Sequence, residues 1–489
     1  MILAFKESQA TVSAGGAESQ IAPAPERFSF SRKLRAANVF FVCAVSTINL
    51  NLLTATASAG FRVFWLWLLA IPCFVVPQAI AVSEITYFTP GECGLSLWSE
   101  RYLGKTAGFL ISWCYWLNNI PYVPSVLLYM VVAVGFIFSG LENFGPYVHC
   151  GLTLLLLWAV VGASRIGFGG GAWVKGFACA TFLIVASITW MSVRYGIHHY
   201  RDGIAGITGG RSLGFPSLNL ETNSVFGLIC MSMIGVEIGS VFGQEIEGAR
   251  TAIALASIRG SMASVICYVL ATAGLLVGMR GAPLGNSTGL VDYLHRMMQG
   301  PELRIAVPVM ALLICISQIG SGLCWFGAAS RMLWLCSTQG GLPRCWGRLH
   351  PRWRTPDRAI RDQGILCSVI VILSFLGSAA QEAYLTLLDI AVIIQLLPYV
   401  AVFAALMRHG AVAKKPHRRF FAAAGALGAA AALFGIAMAF VPSRAVSNVW
   451  QYELKLGIGC VLSLGSGLWV FSRQSRQTDR AAELIEEKA

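Results

Sequence analysis

Charge is what this chain has least of. Asp, Glu, Lys and Arg make up 12% of its 489 residues and apolar residues 56%, with a mean hydropathy of +0.67; a soluble domain carries roughly 25% charge. That scarcity excludes an ordinary soluble fold and points to a membrane protein. Period-two alternation is also missing, which excludes a β-barrel. The first ~35 residues hold no short apolar stretch with a cleavage site, so no signal peptide is expected, and this polar tail reads as retained and disordered. The seven His (His149, His198, His199, His295, His350, His409 and His417) fall in predicted loops or at span ends, and no H-E-x-x-H pattern occurs. A membrane-embedded enzyme would need such groups at depth, so the chain does not read as an enzyme. Nor is there a repeated filter-like loop, which argues against a channel.

Long apolar runs fill the space that charge leaves. They predict about twelve α-helical spans starting near residues 38, 62, 107, 149, 171, 222, 254, 304, 362, 382, 420 and 450, each near the ~20 residues that cross a bilayer core. The expected organisation is a polar tail (1–35), a ten-helix core (36–409), two further spans (410–472) and a short charged tail (473–489). The net charge of +13 is not a nucleic-acid footprint. Arg344, Arg348, Arg352, Arg354, Arg358 and Arg361 crowd one predicted loop, and Arg408, Lys414, Lys415, Arg418 and Arg419 another. About 27 of the 36 Lys and Arg fall on the side of the two termini, which the positive-inside rule reads as cytoplasmic. Most of the 14 Cys, among them Cys43, Cys73, Cys114, Cys179, Cys230, Cys267, Cys315 and Cys324, lie within spans as small apolar residues. Cys150 alone is predicted near the outer surface, either unpaired or linked to a partner; an accessory subunit is not expected.

Ten core spans divide into two sets of five, about 36–195 and 222–409, and odd-membered repeats enter the membrane from opposite sides. The first helix of each repeat is often broken near the midplane. Both candidates for a break are polar and rich in small residues: "STINLNLLTATASAG" (Ser46 to Gly60), with Asn49, Asn51, Thr54, Thr56 and Ser58, and "GVEIGSVFG" (Gly235 to Gly243). A break frees backbone groups that hydrocarbon cannot satisfy, so it is tolerated where protein, water or ligand supplies partners. Half-helix N-termini attract a carboxylate and C-terminal carbonyls an ammonium, and an α-amino acid carries both. The competing reading is that the small residues let helices pack closely.

Three stretches carry a family likeness. "TPGECGLSLWSERYLGKTAGFLISWCYWLNN" (Thr89 to Asn119) resembles the loop between the second and third spans of the amino acid-polyamine-organocation (APC) transporters, with Pro90, Gly94 and Trp98 matching its P-x-x-G-G-x-x-x-W pattern. "IGVEIGSVFGQEIEGAR" resembles their sixth span, and "SRMLWLCSTQGGLP" (Ser330 to Pro343) the end of their eighth. Within the family the likeness is nearest to the glutamate/GABA-antiporter-like and polyamine-uptake branches, through the G-x-E and an aromatic third span (Trp113, Trp116, Asn119) followed by Pro124. Cys93 replaces the loop's first Gly, Gly248 and Ala249 replace the usual Asn-Pro, and the Gly-Ser-Gly of the first span is missing. The resemblance implies an all-α integral membrane protein with the LeuT-like 5+5 inverted repeat plus two helices. It implies an amino acid or polyamine-like substrate bound between spans one, three, six, eight and ten, moved by alternating access as a permease or antiporter. A receptor that senses amino acids on the same fold without transport uses the same binding residues.

Read against these expectations, the candidate substrate-binding residues are Asn49, Asn51, Trp116, Asn119, Gly235, Glu237, Gln318 and Trp325, with Glu84, Glu237 and Asp389 as gating or proton-coupling candidates. Glu237 costs about 2.5–3.5 kcal/mol at bilayer depth if it faces lipid, so it should face a cavity or be protonated. There it contacts a substrate amine, carries a coupling proton, or hydrogen-bonds the unwound backbone. Glu84 reads as a helix-end carboxylate or gate partner, and Asp389 as an outer-gate residue with Gln395 about two turns deeper. Trp113 and Trp116, three apart, share a face that Asn119 and Tyr122 continue before Pro124, and this stripe either walls a site, stacking on an ammonium group, or simply packs. Ser317, Gln318, Ser321 and Trp325 form a second polar patch. No cofactor or metal is expected. The coupling ion, proton or sodium, stays open: no carboxylate cluster singles out a sodium site, and Lys175 sits at the start of its span, where it can snorkel.

Overall fold

The computed structural model describes residues 34–57, 59–89, 93–137, 145–167, 172–198, 220–246, 249–279, 289–298, 306–375, 380–412, 418–441 and 449–486. The tail up to residue 33, Ser58, Pro90, Gly248, His199, Lys414, Lys415 and His417 lie outside them. Among the described residues the chain is helical, with a lone bridge between Leu34 and Ile246.

Eight helices are long and apolar enough to cross a bilayer: Gly60–Phe88, Tyr147–Ile166, Trp173–His198, Thr251–Met279, Val307–Thr338, Asp389–Ala411, Arg418–Ala439 and Tyr452–Gln474. A ninth crossing is the bent pair Ala36–Thr47 and Leu50–Ala57, whose halves meet at 44°. Among the described residues, the helices Lys105–Ile137, Leu220–Ser232 with Ile238–Val241, and Asp357–Phe375 lie where the sequence predicts the third, sixth and ninth spans, and they carry those labels below. Large apolar side chains such as Leu155, Trp158, Leu183, Trp190, Leu433 and Val461 stand exposed on the outer faces. In water such a surface would aggregate; in lipid it is the solvated face.

Departures from regular helix follow from local chemistry. The second span relaxes into a π-turn at Ile71–Val75, where Pro72 enters the helix. Pro121 and Pro124 lie inside the third span and Pro398 inside the tenth. The third span is the hub, packing along the eighth on one side and the tenth on the other. The tenth is covered in turn by the Ala- and Gly-rich eleventh: a Cβ on Gly425 would come 2.7 Å from the Phe403 carbonyl.

Candidate functional site

The first span stops being helical after Thr47 because its own side chains take over backbone acceptors. Ser46 Oγ donates to the carbonyls of Val42 (2.7 Å) and Cys43 (3.1 Å), and Thr47 Oγ1 to that of Cys43 (2.7 Å). Ile48 then leaves the helical region (ψ 88°), and the helix restarts at Leu50. In the sixth span, Met233 to Glu237 form successive turns between two helical pieces. Gly235 carries φ +131°, and a Cβ there would lie 2.8 Å from the carbonyl carbon and oxygen of Ser46 and 2.9 Å from Thr47 N. Only glycine meets both conditions. The two breaks therefore touch: Ser46 Oγ donates to Gly235 O (2.9 Å), and Cys43 Sγ to Val236 O (3.2 Å).

Side chains from three other spans, the second, seventh and eighth, satisfy the freed backbone. Trp325 Nε1 of the eighth span donates to Ser46 O (2.9 Å). Tyr268 of the seventh accepts from Asn49 N (2.9 Å) and donates toward Thr47 O and Asn49 O. Gln78 Nε2 of the second reaches Met233 O (3.2 Å), and Ser257 Oγ of the seventh Val236 O (3.4 Å). Asn49 folds its amide onto Ser46 O (2.9 Å) and receives Ser321 Oγ at 2.6 Å.

Glu237 sits at this junction, fully buried. Its Oε2 accepts the Gly235 N–H (2.8 Å) and its Oε1 the Tyr115 hydroxyl of the third span (3.4 Å). The Tyr399 hydroxyl of the tenth span also hydrogen-bonds the carboxylate and accepts from Gln78 (3.1 Å). A single carboxyl thus ties together the second, third, sixth and tenth spans. Hydrogen bonds of this kind replace the water it gave up.

The aromatic wall comes from the other side of the third span than the tryptophan stripe. The Tyr115 ring stacks on Trp325 with centroids 5.7 Å apart, and Tyr122 meets Trp325 edge-on at 5.4 Å. Trp116 and Trp113 instead pack with Phe109, Leu333 and Ala359, and Trp113 Nε1 donates to Ser463 O of the last span. Asn119 is buried and donates to Tyr115 O (2.8 Å). Gln318 and Asn51 are buried, with amide atoms that have no hydrogen-bond partner among the described residues.

The three acidic candidates occupy separate places. Glu84 lies 3.5 Å from His409 Nε2, and the Nδ1 of the same ring meets Tyr102 Oη at 2.6 Å, so this group ties the ends of the second and tenth spans to the helix Gly94–Leu103. Asp389 accepts the hydroxyl of Tyr452, from the last span, at 2.5 Å. Lys175 lies exposed near the start of the fifth span. Among the described residues, no three His, Cys, Asp or Glu side chains group as metal ligands.

Sequence reasoning passed over Tyr115, Tyr399, Gln78 and Tyr268, and it quoted Arg331 and Glu245 without weighing them. Arg331, buried at 2% exposure, donates from Nε (2.7 Å) and Nη2 to Glu245 Oε1, from Nη1 to Gly327 O (2.9 Å), and covers the Phe242 ring at 4.4 Å. Leu34 N donates to Glu245 O (2.9 Å), and Cys93 N to Val241 O (3.4 Å). This cluster joins the eighth span to the end of the sixth and to the segments at Leu34 and Cys93. An arginine inside an apolar run was the available signal.

The comparisons agree with this architecture. The amino acid permease family model matches residues 36–459. An uncharacterized transporter of Legionella pneumophila is 21% identical over 381 residues, covering 76% of this chain and 80% of the relative. A probable agmatine/putrescine antiporter, AguD, of Lactococcus lactis is 23% identical over 385 residues, covering 78% and 79%. The crystal structure of MhsT in complex with L-phenylalanine superposes with a TM-score of 0.56 at 11% identity, covering 84% of this chain and 100% of that one. The protein is an integral membrane transporter and not an enzyme, built on the LeuT-like fold, and it belongs to the amino acid permease family of the APC superfamily.

Proposed function

We propose that the chain is a secondary active transporter of amino acids or related amines, working by alternating access, with its binding site where the first and sixth spans break. The contact of Gly235 with Ser46 carries this reading. Two interrupted helices that meet at bilayer depth present opposite half-helix ends to one small volume, which suits a zwitterion. The likeness to a probable agmatine/putrescine antiporter and to MhsT in complex with L-phenylalanine supports the substrate class.

In this reading, the groups now bonded to the breaks are exchanged for substrate. An α-ammonium takes the carbonyl of Ser46 from Trp325 and Asn49, and a carboxylate takes N–H groups at the start of the restarted helices. Glu237 couples this event to the moving helices, because Tyr115 and Tyr399 hold it from the scaffold side. The Arg331–Glu245 pair acts as the cytoplasmic gate, and the Glu84–His409 contact as a second tie between helix ends. The repeats are taken as about 36–195 and 222–409, the membrane as the cell membrane, and both termini as cytoplasmic by the distribution of basic loops.

The test is uptake into proteoliposomes containing the purified protein, using pools of radiolabelled amino acids and of diamines. Saturable uptake of at least one pool, absent from protein-free vesicles, is expected. Binding to the detergent-solubilised protein with no uptake under any ion gradient or counter-substrate would replace transport by sensing.

A further inference from the structure

Resting on the transport reading above, we infer that the substrate is an amino acid with an uncharged, hydrogen-bonding side chain of the glutamine and asparagine class, recognised by a column of carboxamides beyond the two breaks.

Many backbone groups at the breaks are engaged by side chains, but a set of side chains close by is not. Asn51, Asn118, Gln318 and Gln395 are each at most 3% exposed, and both amide atoms of each have no hydrogen-bond partner among the described residues; the Oδ1 of Asn119 is in the same condition, as is the amide of Gln363 on the ninth span, outside the column. A buried carboxamide left unpaired is costly, so one such group is uncommon, and four around one axis call for a ligand that answers them.

Helical register puts them together. At 100° per residue, Asn118 and Asn119 flank the Tyr115 direction one turn further along the third span, about 60° to one side and 40° to the other. On the tenth span Gln395 is one turn before Tyr399 and about 40° from it. Its neighbour Leu396 turns away, against Gly435 of the eleventh span. On the eighth span Gln318 lies two turns before Trp325 and within about 20° of its direction, and Ser321 between them bonds Asn49. Asn51 lies in the first turn of the restarted first helix, next to the break. Tyr115, Tyr399 and Trp325 converge on the Glu237 junction. The carboxamides of the third, eighth and tenth spans therefore extend that junction away from the Arg331–Glu245 end, the direction in which a substrate side chain must lie once its α-groups occupy the breaks.

The lining also says what the side chain is not. A diamine or a cationic amino acid brings a second positive charge and needs a second free carboxylate. Glu237 is held by Tyr115, Tyr399 and Gly235 N–H, Glu245 by Arg331, Asp389 by Tyr452, and Glu84 faces His409. The Trp325 ring, the nearest platform for a cation, is stacked on Tyr115 and met by Tyr122. An aliphatic or phenyl side chain would bury the carboxamides against carbon. Only a side chain with both donor and acceptor pairs them, and a site built that way rejects analogues lacking the group far better than an apolar pocket rejects a polar one.

The experiment measures uptake of radiolabelled glutamine, leucine and putrescine by proteoliposomes of the wild type and of Gln318→Leu and Gln395→Leu, alongside thermal unfolding of each. The wild type is expected to take up glutamine at least about tenfold more efficiently than leucine or putrescine. Each variant is expected to lose about tenfold in glutamine efficiency, to shift its preference toward leucine, and to unfold at a temperature equal to or above the wild type, since an unpaired amide has been replaced by carbon. Leucine or putrescine transported as well as glutamine by the wild type overturns the inference and leaves the transport reading standing. A lower unfolding temperature with unchanged preference in both variants also overturns it, by assigning the amides to packing. No uptake of any amino acid or amine removes the transport reading and the inference with it.

Discussion

At the scale of single residues, the carboxylates inside the bilayer are tolerated for different reasons. Glu237 receives hydroxyls from two facing spans and an N–H from its own break, so it ties the broken sixth span to the third and tenth. Glu237→Gln keeps the shape but points an NH2 at either the Gly235 N–H or a tyrosine hydroxyl, a mismatch worth ~1–3 kcal/mol. Uptake by this variant is expected to fall at least about tenfold, with the protein still monodisperse in detergent, as read by initial rates and size-exclusion chromatography; wild-type rates across pH 5 to 8 would remove Glu237 from the mechanism. Glu245 is held by one arginine instead. Arg331→Ala leaves that carboxyl buried without its partner, and a loss of about 3–5 kcal/mol is expected. The double variant Arg331→Met, Glu245→Leu should recover most of the thermal stability while transport stays impaired, because the gate no longer has an ionic pair to break and remake. Recovery of neither, or of both, would contradict a gating role for the pair.

At the scale of elements, the breaks were readable from the sequence because they interrupt apolar runs with residues that have physical reasons to be there. Ser46 and Thr47 compete for backbone carbonyls, and Gly235 allows both a left-handed φ and the 2.8 Å approach. Gly235→Ala is expected to strain the backbone and push the two broken helices apart, costing ~1–3 kcal/mol from the dihedral alone. A clear drop in unfolding temperature together with abolished uptake is the expected result; a variant as stable and active as the wild type would mean the breaks do not need to touch. Helix rotation was not readable in the same way. The third span is apolar around most of its circumference, so nothing in its periodicity chooses between the Trp113 and Trp116 side and the Tyr115 and Tyr122 side. The choice is made by tertiary contacts: Leu333, Ala359 and the last span cover the tryptophans, while Trp325 and Glu237 take the tyrosines. Tyr399 and Gln78 escaped for the same reason, as single polar groups in apolar helices whose partner, Glu237, is distant in sequence. Asp389 looked like a gate because it is an acid in a span; its Tyr452 partner comes from a helix outside the ten-helix core.

At the scale of the whole molecule, composition carried the architecture. Scarce charge and long apolar runs gave the helical membrane class, and the order of the spans, with interruptions in the first and sixth, led to the inverted-repeat fold that the comparisons share. The orientation across the membrane rests on the basic loops, and it has a direct check. A fluorescent protein fused after Ala489 should fold and fluoresce in bacterial cells, while alkaline phosphatase at the same point should stay inactive. The opposite pair of results would invert the topology and exchange the inner and outer gates. The central claim, that substrate binds where the two broken helices meet, is tested most directly by ligand-induced thermal stabilisation of the purified protein and of Glu237→Gln with a panel of amino acids and diamines. The account predicts that one chemical class stabilises the wild type by about 2.7 kcal/mol at a hundred times its Kd and that this stabilisation is lost in Glu237→Gln; equal stabilisation of both proteins would place the binding site elsewhere.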